Sequence, residues 1–430
     1  MTHKRYFSIV WALLMLTFLS PCDAAKSSGS HPRLVSINII DRNGMSETIS
    51  GRDRLAHFER VNFLNPQPYQ KVMRIYNRMA NGDVKAYITS YHANGQIKQF
   101  LAVVNNRAHG MYREWHENGS VRVDATVIGG SGDLGPSHEN TWLFEGVCRA
   151  WDNDGRKEAE ISYSKGFQEG ISTYYHKNGK IWKKIPYKKG MIHGQEETFL
   201  DNGVLLQVVH YQDGVKHGEA KRYWKGRNIA AIEIFDNGKL DTGNYYDING
   251  NHIAQITFGE GKRAIFGRDT LAELQQFHNG ELDGKVEVFT ENGDLFSTFH
   301  VKNGEKHGEE VEYYPRKKYQ NTPHQKIAIN WFEGNIQGLV KTWYTNGNQE
   351  SQREMSKNVK NGLATAWYED GNLMLIEEYD HDKLESGKYF KKGSKIPISQ
   401  VKGGNGVVTI NDSQGNYVKK INYHHGNPEV

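Results

Sequence analysis

Three consecutive segments of the chain repeat with a spacing of 24 residues, and this repetition limits the possible folds more than any other feature. The turn Asp152-Asn153-Asp154-Gly155 recurs as His176-Lys177-Asn178-Gly179 and again as Leu200-Asp201-Asn202-Gly203. Each copy closes on a second glycine turn: Lys165-Gly166-Phe167-Gln168-Glu169-Gly170, Lys189-Gly190-Met191-Ile192-His193-Gly194 and Asp213-Gly214-Val215-Lys216-His217-Gly218. At 430 residues the chain exceeds what one compact core holds, and the repeat favours an array over several separate domains.

Asn-Gly and Asp-Gly between alternating runs signal β-hairpins, because both central residues of such a turn take positive φ. First-turn glycines fall at Gly95, Gly119, Gly155, Gly179, Gly203, Gly226, Gly250, Gly293, Gly347, Gly371 and Gly415. Closing glycines fall at Gly110, Gly146, Gly170, Gly194, Gly218, Gly243, Gly284, Gly308, Gly338, Gly362 and Gly387. Each repeat is therefore expected to be one hairpin. An even period keeps side chains on their own face of a sheet, where an odd one would reverse them.

Five residues after the closing glycines stand Trp115, Trp151, Tyr175, Phe199, Tyr223, Phe289, Tyr313, Trp343 and Trp367, which adjacent strands would align into a ladder. That ladder is expected to be the packed spine of the sheet; the alternative is an exposed platform for sugars, peptides or lipid headgroups. Six and eight residues after the first-turn glycines stand apolar pairs such as Leu101/Val103, Ile185/Tyr187, Val209/Tyr211, Ile232/Ile234 and Ile256/Phe258, all on one face by two-residue alternation. The intervening positions are mostly polar, so one face is apolar and the other wet. A hydrophobic content of 37%, with 45 glycines, 23 tyrosines and 9 tryptophans, suits shallow burial on short aromatic strands. The fold class is all-β: tandem hairpins in an elongated, twisted antiparallel meander over residues 91–430, with a short mixed cap over residues 25–90.

In the cap, residues 35–40 alternate as a strand, Asp41-Arg42-Asn43-Gly44 turns, residues 45–49 return, Asp53 caps a short helix through Glu59, and residues 71–76 form a further strand. Insertions near residues 128–140, 259–271 and 315–324 interrupt the period. The first contains Gly129 to Gly135, which is read as a flexible insertion because no lysine-serine follows to make a phosphate loop.

Lys4 and Arg5, an apolar run over residues 6–19, and Ser20-Pro21-Cys22-Asp23-Ala24 read as a secretory signal peptide cleaved after residue 24. The run is shorter than the roughly 20 apolar residues of a spanning helix. A lipoprotein box with Cys22 as the lipidated residue is the less favoured reading. Cleavage leaves Cys148 alone, which excludes an intramolecular disulfide.

The repeat resembles the MORN-variant repeat of bacterial proteins over residues 91–426. Gly170-Ile171-Ser172-Thr173-Tyr174-Tyr175-His176-Lys177-Asn178-Gly179 and Asn303-Gly304-Glu305-Lys306-His307-Gly308 carry the resemblance. Many members are labelled antitoxins of toxin–antitoxin pairs. Asp41-Arg42-Asn43-Gly44 with Pro68-Tyr69-Gln70-Lys71 is similar to exported members from obligate intracellular bacteria. The resemblance implies a hairpin array with a binding role and no catalytic residues.

The remaining motifs point the same way. His193 and His217 precede closing glycines at the repeat spacing, and two imidazoles suggest zinc. Glu169, Asp283, Gln337 and Asn361 take the same place, so turn hydrogen bonding is expected there, and likewise for His92, His116 and His176. A net charge of +4 from 54 basic and 50 acidic residues spread along the chain gives no phosphate-tracking patch, which argues against nucleic acid. Lys180, Lys183, Lys184, Lys188 and Lys189 form a local row suited to anionic lipid. No nucleophile elbow, Cys/His motif or cofactor signature is present, so no enzyme activity and no cofactor are expected. The function read from the sequence is an exported scaffold that binds protein, with a toxin neutraliser and a peripheral membrane binder as alternatives.

Overall fold

The computed structural model describes residues 32–59, 61–316 and 323–429, so the signal peptide, Cys22 and most of the insertion expected at residues 315–324 lie outside the described residues. The described chain is almost entirely antiparallel β-strand and divides into two compact units between Leu143 and Phe144.

In the first unit, strand Arg33–Asp41 pairs on one side with Ser46–Ile49 and on the other with Gln70–Arg78. The Asp41 carboxylate accepts the N–H groups of Asn43 and Met45, which fixes the turn between the first two strands. The sheet continues by nearest neighbours through Val84–Tyr91, Ile97–Val104, Arg107–Trp115 and Val121–Gly129. Residues 35–49 thus form the expected hairpin, but the helix is only Arg52–Ala56. Gly51 is its N-cap, with no side-chain cap bond, and Asp53 lies within the first turn. Ile37, Ile49, Leu55, Met73, Tyr91 and Ile97 form the core.

The segment after Gly129 is not the flexible insertion expected of its glycines. Gly132 donates to Asn106 O at 3.2 Å, Trp142 Nε1 donates to Ser131 O at 2.8 Å, and Trp142 meets Tyr112 edge-on at 4.7 Å between ring centroids. Asp133 pairs with Arg74 at 2.8 Å. Trp142, beyond the glycines, supplies the apolar anchor that holds the loop down.

The second unit is a meander in which strands pair in chain order from Leu143–Trp151 to Asn427–Pro428. Its hairpins use two turn geometries, and these divide the labour differently from the sequence expectation. At the closing turns both central residues are left-handed, as at Lys189 (φ 51°) and Gly190 (φ 81°) between the paired Lys188 and Met191. This is the two-residue turn whose twist matches the strands. The Asn-Gly turns are instead three-residue loops: His176 N–H donates to Lys180 O at 2.8 Å, and only Gly179 is left-handed (φ 81°).

Two assignments shift for related reasons. In the hairpin after Tyr223 the left-handed position is Arg227 (φ 68°), one residue past Gly226, so the inward residues are Glu233 and Phe235. Ile234, expected inside, is 37% exposed, whereas Phe235 is 6% exposed. Phe258 is also corrected: it forms the two-residue turn between Thr257 and Glu260 and is 83% exposed. Residues 259–271 do not interrupt the array, since His252–Thr257, Glu260–Phe266 and Leu271–His278 pair in succession. In that region Gly243, read as a closing glycine, is not left-handed, and the hairpin loops out Asp241 between Leu240 and Thr242. Elsewhere the closing bulge is wider, as where Val209 faces Ala220 but Tyr211 faces Lys216.

Candidate binding face

Every ladder aromatic is the last residue of its strand, and every one sits at a register shift. Tyr174 faces Lys183 and Tyr175 faces Ile181, so Trp182 is looped out of the pairing. The same shift occurs at Trp115 in the first unit, and at Trp151, Phe199, Tyr223, Phe289, Tyr313, Trp343 and Trp367 in the second. A bulge bends the strand and increases its twist, so an aromatic at this position covers the bend. All nine rings are half-buried, intermediate between a packed spine and an open platform.

The alternation places Tyr175 on the face opposite Ile185. Ile185 is paired with Ser172 and is buried with Val209, whereas Tyr175 shares its face with Thr173, Glu160 and Lys184. There the Tyr175 hydroxyl donates to Glu160 Oε2 at 2.7 Å, and Lys157 Nζ bonds the other carboxylate oxygen at 2.9 Å while lying 5.4 Å from the Tyr175 ring centre. Arg149 adds a third contact at 3.3 Å. The Tyr175 hydrogen bond, followed by Lys157, holds the Glu160 carboxyl below its ordinary range. Burial, followed by the Glu160 bond, pushes the Tyr175 phenol up to about 12. The motif recurs one repeat on, where Lys184 pairs with Glu197 at 3.5 Å and lies 5.5 Å from the Phe199 ring centre. In the first unit Arg113 and Asp124 make a comparable cross-strand pair at 2.8 Å.

The opposite face is apolar but punctuated by buried ion pairs. Lys183 reaches Glu196 at 2.7 Å, and Arg263 reaches Glu233 at 2.7 Å with the Tyr245 hydroxyl donating to the same carboxylate. Each buried carboxylate has a partner, as burial of a charge requires.

The histidines expected to serve turns do so, by bridging repeats. His92 Nε2 lies 2.8 Å from Trp115 O, and His176 Nε2 lies 2.9 Å from Phe199 O. At six closing glycines the preceding residue accepts the first N–H of the following two-residue turn. Glu145 and Glu169 do this for Lys165 and Lys189, His193 and His217 for Asp213 and Asn237, Gln337 for Lys357 and Asn361 for His381. Glutamate, glutamine and asparagine offer an acceptor at this reach, which explains their exchange, while the His193 ring nitrogen lies 3.4 Å from Asp213 N and 3.2 Å from its Oδ1. Among the described residues no group of three or more histidine, cysteine or acidic side chains is placed to hold a metal ion.

The turn glycines Gly95, Gly119, Gly155, Gly179 and Gly203, and the bulge glycines Gly170, Gly194, Gly218, Gly284 and Gly308, all have positive φ. The count from closing glycines misses four strand-end aromatics at equivalent bulges: Tyr91, Tyr246, Phe266 and Phe390. Tyr91 and Tyr246 stand four residues before Gly95 and Gly250, as Tyr175 stands before Gly179, so counting back from the first turn finds them. Phe266 and Phe390 lack that glycine and leave no such signal.

Between residues 165 and 191 the second unit carries seven lysines (Lys165, Lys177, Lys180, Lys183, Lys184, Lys188 and Lys189) against the single acid Glu169, although Lys183 and Lys184 pair with Glu196 and Glu197 of the next repeat. The same segment exposes Phe167 (60%), Ile171 (58%), Trp182 (46%) and Met191 (47%). Among the described residues no helix is long and apolar enough to cross a membrane.

Residues 168–189, 192–213 and 360–381 match the MORN repeat variant. The first match runs from the bulge before Gly170 to the left-handed Lys189, so one family repeat corresponds to a strand, a three-residue loop and a return strand. No curated protein matches the chain.

Proposed function

We propose that this chain is an exported, non-catalytic scaffold whose polar sheet face binds protein. The observation that carries this reading is the presence on that face, in two successive repeats, of a half-buried aromatic beside a lysine–glutamate pair: Tyr175 with Lys157 and Glu160, and Phe199 with Lys184 and Glu197. Aromatic side chains dominate binding energy at protein interfaces, and charged neighbours set register and partner choice. Adjacent units of this kind on a repeating sheet offer a broad surface rather than an enclosed pocket, which suits a macromolecule better than a small substrate. Export rests on the N-terminal sequence of charge, apolar run and small residues.

In-cell cross-linking of the tagged full-length chain, followed by capture and mass spectrometry against an untagged control, tests the reading. Capture of envelope or extracellular proteins, weakened by Tyr175→Ala with Phe199→Ala, supports it. One dominant partner at near-equal stoichiometry would identify a dedicated neutraliser, the role that the antitoxin label suggests. Capture of no protein overturns it.

A second reading, peripheral membrane binding, is favoured by residues 165–191, where exposed apolar side chains lie among lysines, of which Lys183 and Lys184 are already paired with Glu196 and Glu197. Basic residues near an anionic leaflet contribute about 1 kcal/mol each. Sedimentation with phosphatidylglycerol vesicles, reversed by salt and by Lys188→Glu with Lys189→Glu, would establish it; equal binding to neutral vesicles would not.

A further inference from the structure

We propose that the gap between the ladder rings of Phe199 and Tyr223 is an anchor subsite for an aromatic side chain of a protein partner. This inference rests on the reading of the polar face as a protein-binding surface and names the group which that surface takes. An open cleft of about 420 Å³ lies there, lined by Phe199, Gly203, Val204, Leu205, Tyr223 and Arg227. That volume is in the range of small-ligand sites. Both rings are half-buried, as are Val204 and Leu205 between them.

The two preceding repeats show why a cleft opens at this rung. Lys157 stands opposite Trp151 in the strand register and extends to the next ring, with its Nζ 5.4 Å from the Tyr175 ring centre. One repeat on, Lys184 covers the Phe199 ring at 5.5 Å. Leu205 stands opposite Phe199 as Lys157 stands opposite Trp151, and Val208 follows Lys184 at the 24-residue spacing. Between Phe199 and Tyr223 both lysines are thus replaced by shorter aliphatic side chains. Among the described residues no cation or second ring stacks on the Tyr223 ring.

The geometry selects the occupant. Neighbouring strands lie about 4.8 Å apart, so successive ladder rings, two strands apart, are separated by about 9.6 Å. Aromatic pairs favour centroid separations of about 4.5–7 Å, so one further ring fits between two rungs and meets both. An aliphatic side chain touches the same walls without stacking on them. A lysine, which takes this role in the two preceding repeats, is disfavoured here because Arg227 stands in the lining. Tryptophan and tyrosine are the side chains that most often anchor interfaces in such clefts.

Methyl NMR of the full-length chain, read at Val204, tests the proposal with N-acetyl-tryptophanamide as the probe and the corresponding leucine and lysine amides as controls. The tryptophan amide is expected to move the Val204 signals by its ring current and to bind about tenfold more tightly than the leucine amide, since it gains two stacking contacts. Leu205→Lys, which restores the lysine found at position 157, is expected to abolish these shifts while melting near the temperature of the parent. Val208→Lys, which repeats Lys184, should do the same and makes the test again if the first variant does not fold. Absence of shifts, equal affinity for the leucine amide, tighter binding of the lysine amide, or unchanged binding in a folded lysine variant would overturn the proposal. Cross-linking separates this from failure of the broader reading. Proteins captured without tryptophan-amide binding remove the cleft and leave the protein-binding face; binding with no captured protein supports the cleft as an aromatic site and overturns that face.

Discussion

Glu169 Oε2 accepts the backbone N–H of Lys189 at 2.8 Å, so a side chain at the end of one repeat secures the turn of the next. Lys189 is left-handed, and a side-chain acceptor twenty residues upstream holds it in that conformation. Beside it, Gly190 N–H donates to Gln168 O at 2.9 Å, and Gly166, Gly214 and Gly238 make the same bond to Phe144, Ile192 and Lys216. Neighbouring repeats of the second unit are therefore joined at their turns as well as along their strands.

The cap depends on an acceptor and not on a charge. Glu169→Gln is expected to leave stability nearly unchanged, because glutamine already serves at Gln337. Glu169→Leu should cost about 0.5–1.5 kcal/mol, the usual net value of one hydrogen bond, since the exposed Lys189 N–H can turn to water. Urea unfolding of the two variants checks the order. Equal losses would mean that the charge of Glu169, or its packing, matters instead.

The two faces should differ in sensitivity. Ile185 is 8% exposed on the apolar face, and Ile185→Ala is expected to destabilise by about 2–5 kcal/mol. Tyr175 is half-buried and bonded to Glu160, so Tyr175→Ala should cost less, about 1–2 kcal/mol. Thermal and denaturant unfolding give the comparison. A larger loss at Tyr175 would make the ladder the spine of the sheet after all and would weaken its assignment as a binding surface.

The hairpin array was legible because its signals are local. Glycine at two fixed places marks the turns, and alternation from Leu101 to Val209 marks the buried face. What was not legible depends on bulges. A looped-out residue such as Trp182 changes which face the following side chains take, and nothing in its type announces it. The side chain at position 193 reads as a metal ligand or a turn residue until the structure brings Asp213 N–H to 3.4 Å from its ring nitrogen. Trp142 likewise gives no sequence sign that it will anchor the glycine-rich loop.

Tyr175 and Glu160 should titrate as a linked pair. The Tyr175 phenol, pushed up to about 12 by burial and then by Glu160, favours folding below the ordinary phenol value of 10.0 and loses that contribution as pH rises through about 12. Glu160, lowered by Tyr175 and Lys157, stabilises the fold above its ordinary 4.5 and loses the effect as pH falls through its depressed folded value. Difference ultraviolet titration of the parent against Tyr175→Phe isolates one phenol from the rest. Glu160→Gln is expected to move that phenol to lower pH; an unchanged titration would remove the carboxylate as a cause.

Gly203 and Gly226 read alike in the sequence, each as the glycine of a first turn, yet the structure gives them opposite demands. Gly203 has φ 88°, whereas Gly226 is not left-handed and has no atom within 4 Å of where a Cβ would stand. Gly203→Ala must force an alanine into a conformation that costs an L-residue roughly 1–2 kcal/mol. Gly226→Ala meets no such cost and restricts the unfolded chain, so it should be neutral or stabilising by about 0.4–1 kcal/mol. The strained neighbour is Arg227, at φ 68°, and Arg227→Gly is expected to relieve that strain in part. Unfolding of the three single variants decides the matter: a loss at Gly226→Ala comparable to that at Gly203→Ala would restore Gly226 as the turn residue and return Ile232 and Ile234 to the apolar face.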